Sequence, residues 1–85
     1  MTLETAKQRI NEAEQILAAT DRLMDDDLKM LEHATSLRSR EYYSERVEEA
    51  MLSCISNSKR ILKYAKEYNI EPSATAKAYG EMEVI

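Results

Sequence analysis

The chain has 85 residues, with one glycine, one proline, no tryptophan and no phenylalanine, and 33% of its residues are charged. Good helix formers dominate this composition, which therefore predicts an all-α protein with few breaks. The formal net charge of −4 disfavours nucleic acid as the main partner, because phosphates attract basic surfaces. No apolar run approaches the roughly 20 residues that span a bilayer. The single cysteine, Cys54, excludes an internal disulfide and suits a reducing compartment. We therefore expect a cytoplasmic protein with no membrane contact.

The first part of the chain carries a heptad pattern. Apolar or small residues recur at alternating steps of three and four over residues 3–34, with exceptions only at Thr20 and Asp27. This predicts one continuous helix over about residues 2–36. The alternative is a break at Thr20-Asp21, just before the acidic residues 25–27. Thr20 would then cap a second helix, whose first turn favours carboxylates through the helix dipole. The continuous helix is favoured because the periodicity crosses the suspected break.

A second apolar pattern follows a short polar stretch, in which Ser36 or Ser39 is the expected N-cap. It predicts a helix over about residues 40–68, ended by Pro72, because the residue before a proline is pushed out of helical geometry. The residues that define this pattern are spaced by seven: Val47, Cys54, Ile61 and Tyr68.

A short last helix is predicted over residues 74–79, with Ser73 as its N-cap and Gly80 as its C-terminal cap. We expect residues 1–80 to form one domain and residues 81–85 to be a mobile tail. The predicted architecture is an antiparallel helical hairpin, similar to a coiled coil, with a short third helix at its C-terminal end.

Residues for catalysis or metal binding are scarce. One histidine and one cysteine, 21 positions apart, form no metal-binding motif. The run of residues 25–27 points in three directions on a helix and is interpreted as a solvated face. Cys54 lies on the apolar stripe, where burial makes a thiol inert, and His33 is interpreted as a surface residue. We expect no enzyme activity, no cofactor and no metal site.

Apolar surface remains after the two long helices pair, because a hairpin covers only one side of each helix. Such surface predicts a second copy or a partner protein. Substitutions Leu28→Asp and Ile55→Asp are expected to abolish partner capture without unfolding the helices. The candidate partner-binding residues are Leu23, Met24, Leu28, Met30, Met51, Leu52 and Ile55.

The middle of the chain resembles a known family. The segments that carry the resemblance are Asp27-Leu28-Lys29-Met30-Leu31-Glu32, Ser39-Arg40-Glu41-Tyr42-Tyr43, Glu48-Glu49-Ala50-Met51 and Ile61-Leu62-Lys63-Tyr64. They are similar to the E-component cochaperones of bacterial type III secretion needles. The resemblance implies a partner chaperone built of tetratricopeptide-like helices. The two together would keep a needle subunit soluble and unpolymerised.

Two other functions fit the same pattern. One is a small regulatory protein of phage or plasmid type that binds DNA or a transcription factor through residues 73–80 and a basic cluster. That cluster consists of Lys59, Arg60, Lys63 and Lys66, which on a simpler interpretation form a solvated face. The other function is self-association, in which the heptads of residues 3–34 pair as a homodimeric coiled coil.

Overall fold

A computed structural model describes residues 2–82. It contains three helices: α1 over Leu3–His33, α2 over Leu37–Glu67 and α3 over Ala74–Gly80. The two long helices pack against each other along their length, while α3 packs mainly on α2 and also touches α1. The predicted all-α hairpin with a short third helix is confirmed.

Helix α1 is continuous, as the heptad pattern predicts. The Thr2 hydroxyl caps it by accepting a hydrogen bond from the Thr5 N–H at 3.2 Å. Thr20 caps nothing, because its hydroxyl donates to the carbonyl of Ile16 one turn earlier, at 2.9 Å. The alternative break at Thr20 is therefore wrong.

The connection between α1 and α2 is only three residues long, over 34–36, which forces the two helices to run antiparallel. The Ser36 hydroxyl accepts from the Ser39 N–H at 3.1 Å, so Ser36 is the N-cap and α2 begins three residues earlier than expected. Arg40 Nε donates to the Ala34 carbonyl at 3.2 Å and so supplies a partner to a backbone oxygen just after α1.

Helix α2 ends at a Schellman motif, and the prediction that Pro72 ends it is wrong. Asn69 has φ of 55°, in the left-handed region that asparagine tolerates better than most residues. The Ile70 N–H then donates to the Ala65 carbonyl at 2.8 Å, across the last turn. Pro72 lies in the linker that leads to α3.

Helix α3 begins as predicted, with the Ser73 hydroxyl accepting from the Ala76 N–H at 3.0 Å. Gly80, however, is the last helical residue and has no positive φ, so its predicted role as a left-handed cap is wrong. A Cβ at Gly80 would lie 2.2 Å from Leu62 Cδ1. The glycine therefore lets α3 approach α2 closely. Glu81 is the C-cap, and the rest of the expected tail, residues 83–85, lies outside the described residues.

The core lies along the heptad positions of α1 that face α2, here called the seam, and continues under α3. Ile10, Leu17 and Met24 contribute from α1. The other buried apolar residues of the cluster come from α2 and α3: Cys54, Ile55, Ile61, Ala65, Ala76 and Tyr79. The apolar heptad positions of α1 therefore pack against α2 of the same chain.

Asp27 is buried in the seam and does not belong to a solvated acidic face, contrary to expectation. Arg46 of α2 crosses to it, with Nε 3.2 Å from each carboxylate oxygen. The same guanidinium lies 5.5 Å from the centroid of the Tyr42 ring. An exception in the heptad pattern is thus matched by a charged residue on the facing helix, which pairs the carboxylate as burial requires.

Ser58 is fully buried, and its hydroxyl has no hydrogen-bond partner among residues 2–82. A buried, unsatisfied hydroxyl costs free energy, so Ser58→Ala is expected to raise the free energy of unfolding by about 1 kcal/mol. Urea titration followed by circular dichroism measures this as a higher midpoint at unchanged slope. A lower midpoint would show that the hydroxyl has a partner, such as a buried water.

Candidate functional site: an apolar groove beyond α3

Helix α3 lies in a groove between α1 and α2 and is held there by side chains from both. Ser73 Oγ donates to Glu14 Oε1 at 2.9 Å, and the Tyr79 hydroxyl donates to the carboxylate of Asp21. From α2, Lys59 Nζ donates to the Gly80 carbonyl at 3.2 Å. Because Ser73 pairs with Glu14 and Tyr79 with Asp21, α3 runs in the direction of α1, towards the hairpin turn.

The C-terminal end of α3 covers Cys54. Burial raises the pKa of the Cys54 thiol, which agrees with the expectation of an unreactive cysteine. Burial also raises the pKa of Tyr79, with Asp21 adding to the effect, so the phenol stays protonated and donates to that carboxylate. Tyr79 therefore attaches α3 to both long helices without carrying a charge.

The groove continues beyond the end of α3. Glu14 and Asp21, which contact α3, are followed seven residues later by Leu28 on the same line of α1. On α2, Met51 precedes Ser58 by seven residues, and Ser58 lies under Gly80. This part of the groove holds a cleft of about 330 Å³. The cleft is lined by Leu31, Val47, Met51 and Leu52 together with the polar Ser44 and Glu48. Its four apolar residues and the exposed Leu28, which continues the line of Glu14 and Asp21, are called the open groove here.

The seven residues predicted to bind a partner fall into three places. Leu28, Met51 and Leu52 lie at the open groove, whereas Leu23 and Met30 lie on a different line of α1. Met24 and Ile55 are each only 6% exposed and belong to the core.

The two core residues need a correction to what was expected of them. Met24 follows Leu17 by seven residues in the seam, and Ile55 is part of the buried cluster that includes Ala76 and Tyr79 of α3. Neither is offered to a partner, so Ile55→Asp is expected to disrupt the core. Sequence reasoning also missed three residues: Leu31 and Val47 in the groove, and Ile16, which is exposed on α1.

Some of the residues expected to bind DNA instead hold α3 against the hairpin. Lys59 of the basic cluster is bonded to the Gly80 carbonyl, and Ala76 and Tyr79 of the 73–80 segment are buried. Arg60, also of the basic cluster, lies on the opposite face of the hairpin from α3, where it lines a cleft of about 290 Å³ together with Arg9.

Within residues 2–82, no group of three His, Cys, Asp or Glu side chains is placed to hold a metal ion. None of the helices in this part of the chain is both long and apolar enough to cross a membrane. Among residues 2–82, the fold thus defines a small helical hairpin with an exposed apolar groove between its long helices. No family model, curated protein or solved structure matches the chain.

Proposed function

We propose that the protein is a cytoplasmic, non-enzymatic adaptor whose open groove binds one amphipathic helix of a partner protein. The observation that carries the proposal is the continuity of this groove with the one that holds α3. Half of the channel between α1 and α2 already binds a helix, and the other half has the same two walls with apolar side chains. A helix laid into an apolar groove is a common mode of peptide recognition.

The occupant is expected to resemble α3 in its contact face. Helix α3 packs through small residues, Ala76 and Gly80, and one aromatic residue, Tyr79. Met51 and Leu52 line the open groove, and a methionine side chain adapts its shape to a partner. A partner helix with apolar residues at steps of three and four would bury these side chains together with its own.

For the identity of the partner we propose a tetratricopeptide-like chaperone, with which this chain acts as a cochaperone of a type III secretion needle subunit. The support is the resemblance of the middle of the chain to the E-component cochaperones. Two of the segments that carry it, Asp27–Glu32 and Glu48–Met51, contain three of the five residues of the open groove and border the other two, Val47 and Leu52. A helical-repeat chaperone presents amphipathic helices of the kind that the groove suits.

The test is to tag the full-length protein in its native host, purify it gently and identify the co-purifying proteins by mass spectrometry. Leu28→Asp and Leu52→Asp are expected to reduce recovery of the partner at least about tenfold, because a carboxylate would be desolvated in an apolar contact. Leu37→Asp, at an exposed position outside the groove, is the matched control and is expected to recover the partner normally.

Circular dichroism of all three variants checks that the helices remain folded. Recovery of a helical-repeat protein together with a small, aggregation-prone subunit supports the cochaperone. A partner recovered equally well by all variants would place binding outside the groove. Recovery of a transcription component would support the regulatory alternative instead.

A further inference from the structure

The cleft on the face of the hairpin opposite α3 lies near the end at which α1 begins and α2 ends. It has a volume of about 290 Å³ and is here called the arginine cleft. None of its lining residues belongs to the open groove. Three of these residues come from each long helix: Arg9, Ile10 and Ala13 from α1, and Arg60, Ile61 and Tyr64 from α2.

The arginine cleft has an apolar floor and a basic rim. Ile10 and Ile61 are only 7% and 1% exposed and form the floor, whereas both arginines are exposed. The small side chain of Ala13 leaves space between the helices, and the half-buried Tyr64 adds an aromatic wall. An apolar surface with a few polar groups that fix orientation is the usual composition of a small-molecule site, and sites for such ligands begin at about 300 Å³.

The two arginines of the cleft have no acidic partner. Within residues 2–82, the guanidinium groups of Arg9 and Arg60 form no ion pair and no hydrogen bond, in contrast to Arg46, which is paired by Asp27. None of the six lining residues is acidic, so the lining carries two positive charges in a chain whose formal net charge is −4. Two like charges at one cleft repel each other, and an anion bound between them would offset that repulsion.

We propose that the arginine cleft binds a small aromatic carboxylate. A guanidinium donates two parallel hydrogen bonds to a carboxylate, so Arg9 and Arg60 would hold the charged end of the ligand at the rim. The ring would lie on Ile10 and Ile61, beside Tyr64. The volume suits a compound of one or two rings and is too small for a helix of a partner protein. Because the open groove lies on the other face of the hairpin, both sites can be occupied together.

Two-dimensional NMR of the isotope-labelled full-length protein, titrated with 2-naphthoate, tests the proposal. We expect saturable shifts of the backbone amides of residues 9–13 and 60–64. The alcohol 2-naphthylmethanol keeps the rings without the charge, and acetate keeps the charge without the rings, so each is expected to bind at least about tenfold more weakly. Three results overturn the proposal: no saturation at about 10 mM 2-naphthoate, equal binding of the neutral alcohol, or shifts confined to the open groove.

Variants of the cleft test which residues bind the ligand. Arg60→Gln is expected to weaken 2-naphthoate binding at least about tenfold, because one guanidinium is lost. Arg38→Gln is the matched control, since Arg38 is an exposed arginine of the same helix, roughly 33 Å away, and its loss changes the net charge equally.

Ala13→Leu is expected to fill the cleft and to abolish binding while leaving both arginines in place. Circular dichroism of each variant checks that the helices remain folded. Arg60→Gln removes an exposed side chain from α2 and so tests the site even if a leucine at position 13 disturbs the packing. Equal affinities of the wild-type protein and Arg60→Gln, or unchanged binding by a folded Ala13→Leu variant, would place the ligand outside the cleft and overturn the proposal.

Discussion

Replacing Leu17 by alanine is expected to lower the free energy of unfolding by about 2–5 kcal/mol. Leu17 is 1% exposed and lies in the seam between Ile10 and Met24, where removal of its side chain leaves a cavity that two rigid helices fill poorly. A domain of this size has a total stability of about 4–13 kcal/mol, so the loss is a large fraction of the whole. Thermal unfolding followed by circular dichroism would show a fall in Tm of at least about 8 °C.

Leu37→Ala is the control for this experiment, because it makes the same change at the most exposed leucine. Leu37 is 75% exposed at the start of α2, so its truncation is expected to change stability by no more than about 0.5 kcal/mol. Equal losses in the two variants would mean that Leu17 does not lie in the core, and would contradict the pairing of α1 with α2.

Replacing Tyr79 by alanine is expected to release α3 and to make Cys54 react with thiol reagents. Tyr79 is buried against the cluster that contains Cys54, and its hydroxyl donates to Asp21. Losing both contacts is expected to cost about 3 kcal/mol of α3 docking, which corresponds to roughly 100-fold more frequent opening. Because Cys54 is fully buried when α3 is docked, the rate of modification by a thiol reagent measures that opening.

Lys77→Ala provides the control on the same helix. Lys77 is exposed and contacts Glu71 in the linker, so its truncation is expected to change the rate of Cys54 modification less than about threefold. If Tyr79→Ala left the rate at its wild-type value while the helices stayed folded, α3 would not be the element that protects Cys54.

The long helices were predictable because their signals repeat. The heptads over residues 3–34 and the line through Val47, Cys54 and Ile61 each contain several independent observations, so no single exception alters the conclusion. Thr20 shows this. Threonine favours the N-cap, but Leu17 before it and Met24 after it both pack in the core, so the helix continues through Thr20. The helix ends rest on single residues and were less predictable. The left-handed Asn69, two residues after α2, is a weaker sign of a helix end than a glycine, because asparagine adopts this conformation less readily.

The candidate site was only partly predictable, for a tertiary reason. Periodicity separates seam residues from the others, but it does not show where a third helix packs. Ile55 and Leu28 looked alike as apolar residues beside the seam, yet α3 covers the first and ends before the second. The same limit applies to Asp27, whose position in the heptad pattern indicated the seam, while its partner Arg46 depends on the register of the hairpin.

If the open groove binds a partner helix as proposed, the linker over residues 68–73 affects which helices can bind. It tethers α3 beside the channel at an effective concentration on the order of millimolar, so α3 competes with any ligand that extends into its half. The half that α3 leaves free runs beside about the last ten residues of α1, a length of roughly 15 Å, or two to three helical turns. Short helices would therefore enter without competition, and longer ones would bind only by displacing α3. On the proposed function, α3 would therefore limit the length of helix that the groove binds.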